Sequence, residues 1–274
     1  MERIKQFLAA VFFSLIIFQG SAQSFKPFTT VKIPGTIGCV SSDPYQFIYL
    51  TDDKGNMYKI DSIGKQFTLA SPPRRGPITS IEAYRNVNIF VFYREYQVYY
   101  YFDRFLNQSE SLDFTTDQNI GYVRIATPSL DQNVWIIDEQ DFNLKKYNTT
   151  YLKVDINTPL DLIIDPEQYD MNFIREYQNL LFINDANSGV LMFDNMGNYK
   201  TRLPVKGLTN ISFFGNDMVY VKDGCLYMIN VYTFKERKFC SDVFKNATAA
   251  VITDNRLYFT VKDTLFIYYF EDAK

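Results

Sequence analysis

The sequence predicts an all-β chain folded as a six-bladed β-propeller, and three observations carry that expectation. A strand-turn-strand unit recurs six times, its spacing is that of a propeller blade, and only the last copy lacks room for an outer strand. The first strands of the units begin at Phe47, Ile89, Val134, Leu181, Val219 and Leu257, separated by 42, 45, 47, 38 and 38 residues. A period of ~40–45 residues with four short strands per unit is that of a blade.

Each unit opens on a short apolar strand whose second position is aromatic in five copies, Phe90, Trp135, Phe182, Tyr220 and Tyr258. Aromatic residues suit a pleated, half-buried surface. The following strand ends in Asp61, Asp103, Asn148, Asp194 or Asn230, and the sixth copy, residues 265–269, lacks this ending. In Asp61-Ser62-Ile63-Gly64-Lys65 and Asp194-Asn195-Met196-Gly197-Asn198 the acid is placed to cap a turn, and Gly takes the left-handed position of a three-residue hairpin. Innermost strands are expected before each unit, at residues 38–41, 78–83, 122–126, 173–175, 210–214 and 247–252. Outer strands follow at 66–69, 111–114, 200–205 and 235–240.

The chain stops soon after the third strand of unit six. Residues 27–33, Pro-Phe-Thr-Thr-Val-Lys-Ile, alternate polar with apolar as a half-buried strand does. They are expected to complete blade six and close the ring, hiding two edges that would otherwise invite aggregation. The longest connection, residues 155–172, holds Pro159, Pro166 and several acids and reads as a surface insertion after blade three.

The recurring strand ending in Asp, followed by a Gly turn and another strand, resembles the NHL, quinoprotein-type and two-component-regulator propeller repeats. The resemblance spans residues 38–270. It implies architecture and leaves function open, since one fold hosts many functions.

Residues 1–22 read as an export signal: Arg3 and Lys5 precede an apolar run from Phe7 to Phe18, and Gly20-Ser21-Ala22 supplies small residues for cleavage after Ala22. That run is short of the ~20 residues a spanning helix needs, and no Cys stands at the cleavage site for a lipid anchor. The Ser-Ala-Gln ending resembles exported proteins of the Bacteroidota. Residues 23–274 then form one propeller, with no transmembrane segment in the mature chain. A net charge of −3 with interspersed signs gives no basic footprint for nucleic acid. Histidine is absent, which removes the commonest general base and the commonest imidazole metal ligand together.

In a propeller, the turns between second and third strands and the connections between blades gather at one channel mouth. There the sequence places an acidic rim: Asp52, Asp53, Glu139, Asp141, Asp185, Asp223 and Asp263. Carboxylates converging from different blades would suit Ca²⁺, as in six-bladed lactonase and gluconolactonase folds, although Asp also favours turns for its own sake. No cofactor is otherwise called for. Arg74 and Arg75 lie in the proline-stiffened loop Ser71-Pro72-Pro73-Arg74-Arg75-Gly76-Pro77 on the same face, suited to carboxylate capture or to pairing with the rim acids. Tyr93, Arg94 and Tyr96 are expected at the next turn, with both tyrosines exposed as an interaction hot spot. The other aromatics between Phe90 and Phe105 are read as packing.

Cys39, Cys225 and Cys240 leave an odd thiol. A two-residue turn at Tyr232-Thr233 sets Cys225 directly opposite Cys240, whereas the three-residue turn of blades one and four throws Cys240 to the other face; both registers are open. Cys39 reads as a buried small residue. Asn107, Asn148, Asn210 and Asn246 match a glycosylation sequon, and Asp61-Ser62-Ile63 and Asp263-Thr264-Leu265 resemble the O-glycosylation triplet of Bacteroidota. The expected function is a non-catalytic, exported scaffold with a protein partner, a periplasmic or outer-membrane-associated subunit of a secretion, assembly or uptake complex. Its alternatives are a Ca²⁺-dependent hydrolase or lyase at the channel mouth and a carbohydrate-binding propeller.

Overall fold

Most central strands of this chain are apolar at consecutive positions, a pattern that suits a strand covered on both faces better than one with a solvated side. The computed structural model, which describes residues 25–71, 76–84 and 88–271, covers them by stacking blades around an axis. All five residues of the second strands of blades 1, 2 and 3 are buried. The protein is a six-bladed β-propeller, and each blade is a four-stranded antiparallel sheet.

In chain order, β1 (Pro27–Lys32) is followed by blade 1, made of β2 (Ile37–Ser42), β3 (Ile48–Asp52), β4 (Met57–Ile60) and β5 (Gln66–Ala70). Blade 2 is β6 (Ser80–Glu82), β7 (Ile89–Tyr93), β8 (Val98–Phe102) and β9 (Gln108–Asp113). Blade 3 is β10 (Val123–Pro128), β11 (Val134–Asp138), β12 (Asn143–Asn148) and β13 (Lys153–Pro159). Blade 4 is β14 (Met171–Tyr177), β15 (Leu180–Asp185), β16 (Gly189–Asp194) and β17 (Tyr199–Leu203). Blade 5 is β18 (Ser212–Phe214), β19 (Asp217–Lys222), β20 (Cys225–Asn230) and β21 (Glu236–Cys240). Blade 6 is β22 (Ala249–Ile252), β23 (Arg256–Val261), β24 (Thr264–Tyr269) and, from the other end of the chain, β1.

The closing strand forms as the alternation predicts, with Thr30 opposite Phe266 and Val31 opposite Leu265. Phe28, Val31 and Ile33 join the apolar cluster between blades 6 and 1, beside Ile48, Tyr258 and Ile267. Hydroxyl and amide side chains on the innermost strands then tie neighbouring blades. Ser41 Oγ accepts from the Ala83 amide (3.0 Å), Ser80 donates to Ala126 O (2.9 Å) and Ser212 donates to Ala250 O (2.7 Å).

The Asp and Asn endings act as turn caps. Asp61 accepts from Ile63 N and Lys65 N, and Asp194 from Met196 N and Asn198 N, with Gly64 and Gly197 at φ 85° and 78°. Where Gly is missing, Leu106, Leu152 and Phe234 take the left-handed position at φ 65°, 50° and 57°, a conformation costing roughly 1–2 kcal/mol for such residues.

The connection after blade 3 is shorter than the sequence suggests. Residues 153–159 are its outer strand, with alternating exposed and half-buried positions, so only residues 160–170 connect. Asp155 lies on the exposed side of that alternation and gave a strand the composition of a loop.

Blade 5 carries a Cys225–Cys240 disulfide, with the two residues directly opposed. The register is that of the two-residue turn, but the loop widens to Val231-Tyr232-Thr233-Phe234, closed by Asn230 N donating to Lys235 O (3.0 Å). Blades 1, 2 and 4 instead follow a three-residue turn with a bulge that shifts the outer strand by one residue.

Candidate functional site: the channel-mouth face

Turns between second and third strands lie on the same side of the ring as the blade-to-blade connections. Three blades meet there in one ionic cluster. Glu139, at the turn of blade 3, accepts from Arg94 Nη2 (3.0 Å) through Oε2 and from Arg124 Nη1 (2.7 Å) through Oε1. Tyr169 donates its hydroxyl to the same Oε1 (2.9 Å), and Arg124 reaches on to Asp170 (2.8 Å). Arg94 lies over the Tyr122 ring and Arg124 over the Tyr169 ring, 5.5 and 5.1 Å from the centroids. Burial alone would raise the Glu139 pKa. Hydrogen bonds from Arg124 and Tyr169 and the charges of both guanidiniums outweigh it and hold the carboxyl below its ordinary range.

Most of the other rim acids are engaged within their own surroundings. Asp52 is buried and accepts from Lys54 N, Asn56 N, Asn56 Nδ2 and Tyr58 Oη. Burial pushes its pKa up, and these donors together pull it below normal. Asp53 is exposed beside it. Asp141 shares Lys145 with Asp138, both at 2.7 Å. Asp185 is buried and accepts from Asp170 N (2.5 Å). Asp223 is an exposed turn residue at φ 50°. Asp263 pairs with Lys32 (3.0 Å) across the closing strands. Among the described residues no three of His, Cys, Asp and Glu come together as a metal-binding set.

Arg74 and Arg75 lie outside the described residues, as does the expected signal at residues 1–22. Tyr93 differs from expectation. It is fully buried rather than exposed, because β7 continues through it and its ring packs between Tyr96 and Tyr100, with centroids at 6.2 and 5.8 Å. Tyr96 is half-buried, and Arg94 keeps about a third of its side chain in solvent, 35%.

Inside the ring, a narrow cavity of about 100 Å³ is lined by Cys39, Ser80, Glu82, Thr127, Asn172 and Arg175 among others. Glu82 and Arg175 form a buried ion pair across it. The cavity is far smaller than the ~300–1,000 Å³ typical of ligand pockets. Cys39 places its thiol against the carbonyls of Ile78 and Thr79 (3.4 Å each), and burial pushes it up to about 11, away from a thiolate nucleophile.

Sequence reasoning found Arg94 and Glu139 but missed Arg124, Tyr169 and Asp170. Arg124 stood in the sequence as a charge inside an otherwise apolar innermost strand, which was a signal for a buried partner. Tyr169 and Asp170 carried no such signal, since they sit in an irregular connection.

No protein-family profile matches the chain, and no curated protein does. Solved structures match in fold. The WD40 domain of Neurospora crassa Pan2 shares 9% identity over 91% of this chain and 96% of its own, with a TM-score of 0.61. Virginiamycin B lyase of Staphylococcus aureus, in a form made catalytically inactive by exchanging one histidine for alanine, shares 9% over 86% of this chain and 80% of its own, TM-score 0.57. An extracellular domain from B. thetaiotaomicron shares 12% over 86% of this chain and 33% of its own, TM-score 0.55. At such identities the likeness is one of fold: this chain is built as those propellers are.

Proposed function

We propose that the protein is an exported, non-catalytic interaction propeller that serves as a subunit of a secretion, assembly or uptake complex at the cell envelope. The observation that carries this reading is the Arg94–Glu139–Arg124–Asp170 cluster. Its charges are neutralised by one another, across three blades, which makes a rigid and partly exposed recognition surface. A general acid or base would need an unpaired group poised to exchange a proton with a bound substrate. Tyr122, 42% exposed beneath Arg94, adds the aromatic-plus-arginine composition of an interaction hot spot.

The lyase fold does not transfer its chemistry. That enzyme is inactivated by losing one histidine, and this chain has none. The basic, apolar and small-residue sections of residues 1–22 support export, and no helix among the described residues is long and apolar enough to cross a membrane.

The test is affinity purification from the native envelope with the parent chain and with an Arg94→Glu, Tyr122→Ala variant. A stoichiometric partner retained by the parent and lost by the correctly folded variant is the expected result. Stoichiometric calcium at the mouth, with turnover of a small substrate, would overturn the scaffold reading in favour of the hydrolase or lyase. Specific retention on a glycan array would favour the carbohydrate-binding alternative.

A further inference from the structure

The face opposite the channel mouth carries a second, independent pattern. Every blade repeats the same up-and-down strand order about one axis, so all turns between third and outer strands emerge together on that side. At these turns, or where blade 6 passes from β24 to β1, each blade exposes a large apolar side chain. They are Ile63, Phe105, Leu152, Met196, Phe234 and Tyr269, between 40% and 63% exposed. Each has an exposed cation close by in the same blade: Lys65, Arg104, Lys153, Lys200, Lys235 and Lys26. Some of these cations already lie over aromatic rings, Arg104 on Phe105 at 4.8 Å and Lys26 on Tyr269 at 5.5 Å.

The carboxylates of this face are oriented differently. Asp61, Asp103 and Asp194 turn inward to accept backbone amides of their own turns. Asp131 is held by Lys146 at 2.6 Å. Lys153 is paired with Asp155 (3.0 Å), and Asp131 and Asp254 keep carboxylates at the surface, so the apolar tips and cations repeated around this side of the disk stand among a few exposed acids.

From this we infer that the face docks on a phospholipid bilayer with anionic headgroups. The apolar tips enter the headgroup boundary and the Lys and Arg side chains pair with phosphates beside them. A peptide partner would engage one groove or one edge, whereas a recurrence in all six blades fits an extended, flat partner. Aromatic side chains favour the boundary layer of a membrane, and long cationic side chains reach from an apolar stem to a phosphate. Apolar area and electrostatic attraction act together in such interfacial binding.

The experiment uses lipid as the probe. The single tryptophan, Trp135, is fully buried, so a new tryptophan reports its own surroundings. Phe105→Trp is placed in the full chain and, separately, Tyr122→Trp on the opposite face. Each is mixed with vesicles of phosphatidylglycerol and phosphatidylethanolamine carrying brominated acyl chains. The expected result is blue-shifted, quenched emission at position 105 and none at position 122. Lys65→Glu with Lys235→Glu in the Phe105→Trp background should weaken the quenching, and added salt should do the same. Comparing the two positions in otherwise identical full chains separates docking by this face from any contribution of residues 1–24. Absence of quenching at position 105, equal quenching at both positions, or quenching indifferent to charge reversal overturns the inference. Far-ultraviolet circular dichroism of each variant checks that the ring is intact.

Discussion

Glu82 and Arg175 form a buried ion pair that joins the innermost strands of blades 2 and 4 across the channel, passing over blade 3. Their side chains are only 6% and 8% exposed. Removing one partner leaves an uncompensated buried charge, which costs about 3–5 kcal/mol, whereas replacing both with apolar residues is often close to neutral. Arg175→Met and Glu82→Leu should therefore each lower stability strongly, and the double variant should recover most of the loss. Urea unfolding of the four-member mutant cycle measures the coupling.

The disulfide makes a prediction of different origin. Cys225 and Cys240 are 15 residues apart, and a loop of that length contributes about 3 kcal/mol by restricting the unfolded chain. The double Cys→Ser variant should be destabilised by about that amount. Thiol titration of the denatured, unreduced protein should find one reactive group, Cys39.

Ring closure rests on β1. Deleting residues 25–33 removes the outer strand of blade 6 together with Phe28, Val31 and Ile33 from the cluster between blades 6 and 1. Thermal unfolding should become broad and shift to lower temperature. A sharp, unshifted transition would show that the ring does not depend on this strand.

Two titrations should bracket the stable range. The Glu139 pKa is depressed in the folded state, so its stabilising contribution is present above the unfolded value of about 4.3 and is lost as pH falls through the folded value. Glu139→Gln should flatten the acid limb of a stability profile. On the alkaline side, burial pushes Tyr58 and Tyr101 up to about 12. Their contribution holds below the unfolded value of roughly 10 and is lost as pH rises toward the folded one. Tyrosinate absorbance should therefore rise in two stages, the later one coinciding with unfolding.

The sequence by itself determined the count of blades, the order of strands within them and the closing role of residues 27–33. Those properties follow from local causes: apolar runs that need cover on both faces, Asp and Gly that fix turns, and alternation in β1. Pairing register, burial at strand ends and side-chain partners between blades depended on the folded ring. Whether Cys225 faces Cys240 turned on one residue of loop length, which blades 1, 2 and 4 absorb in a bulge and blade 5 in its turn. Tyr93 was placed at a turn by its neighbours, yet β7 extends just far enough to bury it. Arg124 came to Glu139 through the β10–β11 pairing within blade 3, whereas Tyr169 came to Glu139, and Arg175 to Glu82, only through the circular stacking of blades. Residues 30 to 93 positions apart become neighbours there because the ring brings successive blades, and strands facing one channel, into contact.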